Sequence, residues 1–207
     1  MNVFVGCSSR APQNRIYEES CKVAKELADW IVEKHHNYVF GAGKTGLMGV
    51  IYNEVQRKLQ EDAPLSDYNE ELSVSNSTKI IAVTLDRWAE DLKELECDVK
   101  LAFNTLSERK QVLFQLADVM IFLPGGLGTT DELISAIEAK RSFEHQKEII
   151  ICNVCGYFDS VVNAIDYSVN KGFTGSLCED FFRVVNSEAE LVETLNFLQE
   201  QSQNKDV

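Results

Sequence analysis

The apolar positions of the chain fall into two alternating patterns. Short runs dense in Val, Ile, Phe and Leu recur along it. They are "NVFV" at residues 2–5, "YVF" at 38–40, "KIIAVT" at 79–84, "DVMIFL" at 118–123 and "EIIICN" at 148–153. Each is the length of a buried strand. "FRVVN", 182–186, predicts a short sixth strand. Between the runs the apolar residues space themselves by threes and fours. Ile16, Ser20, Val23, Ala24, Leu27, Ala28 and Ile31 line one face of a helix over 14–35. The same spacing predicts helices over 47–59, 105–117, 131–141, 158–172 and 188–201.

Strands alternating with helices mean parallel pairing through right-handed crossovers. The expected fold class is α/β: a single Rossmann-like doubly wound domain over residues 1–200, with a mainly parallel sheet flanked by helices. Two stretches fall outside the pattern. Gln60–Lys79 is acidic and weakly periodic and reads as an exposed insertion. Residues 201–207, "QSQNKDV", read as a disordered tail.

Charge narrows the partners. The 207 residues carry a formal net charge of −13. A nucleic-acid polymer or an anionic membrane surface calls for basic patches, so neither is expected as a partner. No apolar run approaches the length of a membrane span. The chain enters a strand at once, without a signal-peptide pattern. Six scattered cysteines, Cys7, Cys21, Cys97, Cys152, Cys155 and Cys178, read as reduced thiols. A cytoplasmic location is the expectation.

The candidate chemistry lies in "FLPGGLGTTDEL", 122–133. A strand, a Gly-rich turn and a helix start make an anion site, because the first helical amides are unpaired and glycine lets a phosphate approach the backbone. Gly125, Gly126, Gly128, Thr129 and Thr130 are the expected phosphate cradle. Two further polar turns follow strands: "GCSSR", 6–10, and "GAGKTG", 41–46. The second resembles a dinucleotide fingerprint, but the next strand begins about twice too far away for the acidic partner that fingerprint requires. A P-loop is excluded by spacing, since Tyr38 stands where its first glycine belongs. In a doubly wound sheet the first strand and the "DVMIFL" strand commonly flank the point where strand order reverses. Ser8, Ser9 and Gly43 would then border the same crevice as the glycine loop.

Taken together, "GCSS" (6–9), "GAGKTGLMG" (41–49), "SERK" (107–110) and "PGGLGTTDE" (124–132) resemble the LOG ("lonely guy") family, often labelled lysine decarboxylase-like. The likeness continues through "HQK" (145–147) and "CGYFDSVVNAIDYSVNKGF" (155–173). It implies a cytosolic homodimer that cleaves the N-glycosidic bond of nucleoside 5′-monophosphates, of AMP or cytokinin riboside type, to a free base and ribose 5-phosphate. It implies Arg109 and Glu132 as the catalytic pair, with Lys110 in support and no cofactor. The chain also departs from the family pattern. Ala42 interrupts the GGG turn, and Leu106-Ser107 replaces Met-His. Ala139-Lys140-Arg141 replaces Trp-x-Gln, Glu148 follows Lys147 in place of Pro, and "VTLDRWAED" (83–91) lacks the usual Pro. These changes border the base and ribose side rather than the phosphate loop.

The chemistry fits those roles. Glycosidic cleavage develops positive charge on the ribose, and a carboxylate beside it stabilises that charge and can activate water. The competing reading of Glu132 is a helix-start carboxylate favoured by the macrodipole. Arg109 can hold phosphate or ribose, or keep Glu132 ionised; otherwise it is a surface cation paired with Glu108 or Asp118. Asp131 is the surface neighbour of Glu132. "CNVC", 152–155, lacks a second pair and reads as buried thiols, and no metal is expected. A second function class stays open: a non-catalytic nucleotide or molybdenum-cofactor carrier would need the loop but not the Arg109–Glu132 pair.

Overall fold

In the computed structural model, residues 1–61, 78–175 and 181–203 are described. Seven strands among these residues form one all-parallel sheet: β1 (Asn2–Gly6), β2 (Asn37–Phe40), β3 (Ile80–Leu85), β4 (Val99–Phe103), β5 (Val119–Phe122), β6 (Glu148–Cys152) and β7 (Arg183–Val185). Their spatial order is β4-β3-β2-β1-β5-β6-β7. The chain builds outward from β1 to one edge, then returns to β5 and builds to the other. Chain order therefore reverses between β1 and β5, which pair from Val3 opposite Val119 to Gly6 opposite Phe122. That is where a doubly wound sheet opens a crevice at its carboxyl edge.

Among the described residues seven α-helices cover the sheet: α1 (Arg15–Glu33), α2 (Gly46–Glu61), α3 (Ala89–Lys93), α4 (Leu106–Leu116), α5 (Leu127–Arg141), α6 (Asp159–Asn170) and α7 (Glu188–Gln203). Strand side chains alternate between two apolar layers. Val3 and Val5 of β1 face Leu27, Ile31 and Ile51 from α1 and α2. Phe4, between them, faces the other layer with Leu113 of α4 and Leu133 and Ile137 of α5. Every residue of β3 and β5 is buried, as continuous apolar runs require when both faces are covered.

Local chemistry fixes the helix ends that bear on the site. Asn14 caps α1 by accepting from the Tyr17 amide at 2.9 Å. Thr105 and Glu108 form a reciprocal capping box at the start of α4. At the far end of α4, the Lys147 ammonium donates to the carbonyls of Phe114 and Gln115, two acceptors the helix itself leaves open.

Several expectations change. β4, "VKLAF", and α3 had no counterpart in the sequence reading. β4 is an edge strand whose first residues, Val99 and Lys100, are exposed, so its pattern lacks a buried run. α5 begins at Leu127, four residues before the predicted start, because the glycine turn itself winds into the helix. Gln201–Gln203 continue α7 rather than starting a tail. The rest of the expected tail, 204–207, and most of the expected insertion, 62–77, lie outside the described residues. Leu113 of α4 is fully buried in the core.

Candidate active site

The carboxyl edge of the sheet brings the three polar turns together. The Ser8 amide donates to the Pro124 carbonyl at 3.1 Å, and the Leu123 amide to the Gly6 carbonyl at 3.0 Å, joining the "GCSS" and "PGG" turns. The Met48 amide donates to the Ser8 carbonyl at 3.2 Å, and the Thr45 hydroxyl to the Ser9 carbonyl at 2.6 Å, bringing in "GAGKTG". Gly46 adopts φ +64°, and a Cβ there would sit 2.5 Å from the Ser8 carbonyl oxygen. Its lack of a side chain is what lets the two turns touch.

At the centre is a buried ion pair. Arg109 Nη1 donates to Glu132 Oε1 at 2.8 Å, and both side chains are about nine-tenths shielded from solvent, at 10% and 7% exposure. Arg109 comes from the second turn of α4 and Glu132 from the second turn of α5. The guanidinium spans the sheet edge. Its Nε donates to the Val83 carbonyl of β3 at 3.1 Å, and its Nη2 fills the space where Gly41, after β2, would carry a Cβ, 2.2 Å from that position. No side chain at 41 is compatible with that passage. The other carboxylate oxygen of Glu132 lies 3.5 Å from the corresponding point on Gly6. The alternative partners for Arg109 are engaged elsewhere: Glu108 in its capping box and Asp118 with the Asn2 amide.

Glu132 is the sixth residue of α5. The macrodipole favours carboxylates within the first turn only, so it does not account for this one. Burial pushes the Glu132 carboxyl above its ordinary value, and Arg109 pulls in the opposite direction. A carboxylate held in a dry site by one guanidinium can accept a proton or meet a cation that forms beside it.

The glycine loop leads into α5 with Gly126 at the N-cap and no side-chain cap, unlike α1 and α4. Nothing lies within 4 Å of the positions a Cβ would take at Gly126 and Gly128. Open space before uncapped amides is what an anion needs. The Thr129 side chain is buried against Gly125, and the Thr130 hydroxyl donates back to the Gly126 carbonyl at 3.3 Å. The two threonines thus shape the loop. Ser8 uses its hydroxyl on Arg10, donating to the carbonyl at 2.8 Å and accepting from the amide at 2.9 Å. Ser9 is exposed, and Gly43 packs near Ser9 and Met48 at the rim. Lys110 is drawn off the central pair, 2.7 Å from Asp131 and 3.0 Å from Ser135.

Two features were not visible in sequence. A cavity of about 450 Å³ opens against Gly125 and Gly126, lined mainly by Pro12, Ile16, Tyr17, Leu47 and Tyr157, with Arg10 the only cation among the described residues that line it. Tyr157 also donates its hydroxyl to the Gly125 carbonyl. Tyr157 lies in the run 155–173 that carries the family resemblance, but its contact with Gly125 depends on the turn after β6 that delivers it. Of the "CNVC" thiols, Cys152 is buried as expected but Cys155 is exposed, in a left-handed turn at φ 53°. Cys7 is wholly buried, and burial followed by the Glu132 charge pushes its thiol up, so it is a poor nucleophile. Among the described residues no cluster of three or more His, Cys, Asp or Glu is placed to hold a metal ion. No helix among them is long and apolar enough to cross a membrane.

Known proteins place this architecture. The family model described as possible lysine decarboxylase matches residues 39–195. The chain is 28% identical over 201 residues to the cytokinin riboside 5′-monophosphate phosphoribohydrolase LOG2 of Arabidopsis thaliana, covering 96% of this chain and 82% of that protein. It is 28% identical over 188 residues to the phosphoribohydrolase LOG of Oryza sativa subsp. japonica, covering 89% and 67%. Among solved structures, the Moco carrier protein of Chlamydomonas reinhardtii shares the fold with a TM-score of 0.62 at 15% identity, covering 97% of this chain and 98% of that one. The molybdenum cofactor binding protein of Rippkaea orientalis does so with a TM-score of 0.57 at 12% identity, covering 95% and 96%. With a family match running from β2 into α7, the chain belongs to the family described as possible lysine decarboxylase, the LOG family.

Proposed function

We propose that the protein is a nucleoside 5′-monophosphate phosphoribohydrolase, hydrolysing the N-glycosidic bond of AMP or a cytokinin riboside monophosphate. The observation that carries this reading is the buried Arg109–Glu132 pair standing behind an uncapped helix start. The phosphate would rest on the amides from Gly126 to Thr130 and hold the ribose against Glu132. As the glycosidic bond lengthens, its electron pair leaves with the base and positive charge grows on the ribose. The Glu132 carboxylate stabilises that charge and takes a proton from the attacking water; that proton then passes to the departing base, directly or through solvent, and the carboxylate is restored. Arg109 opposes the burial that raises the Glu132 carboxyl and so favours its charged form. The relatives named phosphoribohydrolase support the same activity.

Decarboxylation through pyridoxal phosphate does not fit these side chains. It needs a lysine free to form an imine. The lysines beside the site, Lys44 and Lys110, are ion-paired with Glu94 and Asp131. A second reading is a carrier that binds without turnover, favoured by the fold shared with the Moco carrier protein. A carrier has no need of a buried carboxylate behind the loop. Incubation with AMP and chromatography of the released base separates the two. Free base supports the hydrolase; tight binding across a monophosphate panel without base supports the carrier.

Assembly and location belong to the same proposal: a homodimer in the cytoplasm. Supporting the dimer, a groove of about 610 Å³ runs between α4 and α5, with Ile134 exposed along it and Leu106 exposed at the start of α4. A sedimentation mass of one chain at micromolar concentration contradicts the dimer.

A further inference from the structure

The geometry points to Tyr157 as a positioning residue that aims the Gly126 amide at the bound phosphate, an inference that rests on the phosphate-site reading above. The Tyr157 hydroxyl donates to the Gly125 carbonyl. In a trans peptide the carbonyl and the following N–H point in opposite directions. Holding the Gly125 carbonyl toward Tyr157 therefore turns the Gly126 N–H away from it. Gly126 is the N-cap of α5, has no side-chain cap, and faces open space. Without the tyrosine, a Gly-Gly peptide flips readily, because neither residue has a Cβ to resist.

The turn that presents Tyr157 carries backbone strain. After β6, Cys155 and Gly156 adopt consecutive left-handed conformations, φ 53° and 72°. A non-glycine residue in that region persists only where its surroundings over-determine it, and such residues gather at functional sites. Here Asn153, itself buried, does the fixing. Its amide donates to the Val185 carbonyl at 2.7 Å, its Oδ1 accepts from the Phe158 amide at 2.8 Å, and its Nδ2 donates to Asp159 at 2.8 Å. The Phe158 ring is fully buried and meets the Tyr157 ring edge-on, with centroids 5.1 Å apart. The phenol is thereby anchored on one strand's turn while its hydroxyl reaches across to the next strand's loop. Its hydroxyl bonds loop backbone rather than Glu132 or Arg109, so its effect falls on binding of the phosphate.

The test has two arms, both using AMP and adenosine on the full chain. In the first, amide resonances of the native protein are followed through titration with AMP. The expected result is that the Gly126 amide moves among the largest shifts of the loop and does not move with adenosine. Shifts at Gly128–Thr130 with Gly126 unmoved would overturn the role of Tyr157 and leave the phosphate site standing. No shift anywhere in 125–130 would overturn the phosphate site itself. In the second arm, Tyr157→Phe is expected to weaken AMP about fivefold, the scale of one neutral hydrogen bond. Adenosine affinity and the thermal midpoint should hold, and KM for AMP should rise more than kcat falls. Equal loss of AMP and adenosine affinity, or a lowered midpoint with AMP affinity retained, contradicts the inference. If the variant does not fold, the native titration decides.

Discussion

Arg109 Nη1 lies 2.8 Å from Glu132 Oε1 with both side chains buried, and the guanidinium reaches that position by crossing the space left free at Gly41. Three elements separated by dozens of residues are thereby committed to one charge pair. Removing one member of a buried pair typically costs several kcal/mol because the other charge is left unpaired. Gly41→Ala tests the passage without touching either charge. We expect Arg109 to be displaced and turnover to fall at least about tenfold, the scale at which small misplacements of catalytic groups are felt. Retention of native kcat/KM in Gly41→Ala contradicts that geometry.

The pH dependence follows from the same pair. The carboxyl of Glu132 is raised by burial and lowered by Arg109. Activity that needs the carboxylate is lost as pH falls through this raised pKa, so the acid limb of kcat/KM should lie above the ordinary glutamate value of 4.5. Arg109→Met removes the opposing charge and should move that limb further upward, besides lowering the plateau. For stability the sign is reversed. A carboxyl raised in the folded state contributes stability that is complete below its unfolded pKa and lost as pH rises through the folded one. Glu132→Gln removes that loss, so its stability relative to native should improve between acid and neutral pH in parallel denaturant titrations.

Ala42 offers a prediction about stability alone. It sits at φ 62°, buried, in the turn after β2. The left-handed region costs a residue with a Cβ roughly 1–2 kcal/mol, partly offset by the extra unfolded-state freedom of glycine. Ala42→Gly should therefore stabilise by about 0.5–1 kcal/mol in chemical denaturation. A destabilisation shows that the alanine methyl packs more usefully than its backbone is strained.

Lys147 closes the carboxyl end of α4, the helix that carries Arg109. Its amine lies partly buried and its pKa is lowered by that burial. Lys147→Met keeps the stem and removes the donors, leaving two carbonyls unsatisfied. We expect a loss of about 1–2 kcal/mol, within the range for unmade hydrogen bonds. An unchanged denaturation midpoint argues that water replaces the ammonium without cost.

The layered fold was legible because buried parallel strands print continuous apolar runs, as in "DVMIFL" and "EIIICN". The pairing of β1 with β5, and the meeting of three polar turns at their ends, followed from strand order alone. β4 escaped because an edge strand is half solvated and its side chains need not be apolar. The start of α5 was misplaced because glycine opposes helix locally, and here the loop's tertiary contacts override that preference. Glu132 and Arg109 could be named as a pair, but not that Asp131 and Lys110 pair separately on the outside. Ion pairing between helices depends on which face each turns inward, and one residue of helical phase separates Glu132 from Asp131. The contact of Tyr157 with the Gly125 carbonyl was out of reach although the residue lies in the family-like run: it depends on two left-handed residues that precede it, of which only Gly156 declares itself.

The division of labour between loop and carboxylate is tested most directly by Glu132→Gln, comparing AMP affinity with the rate of base release at saturating AMP. Glutamine keeps the size and an acceptor for Arg109, and removes only the charge that meets the forming ribosyl cation. The expected result is AMP affinity within a few-fold of native with turnover down more than about 100-fold, the scale of a preorganised acid–base or electrostatic group. Base release at the native rate would remove Glu132 from the chemistry and contradict the account.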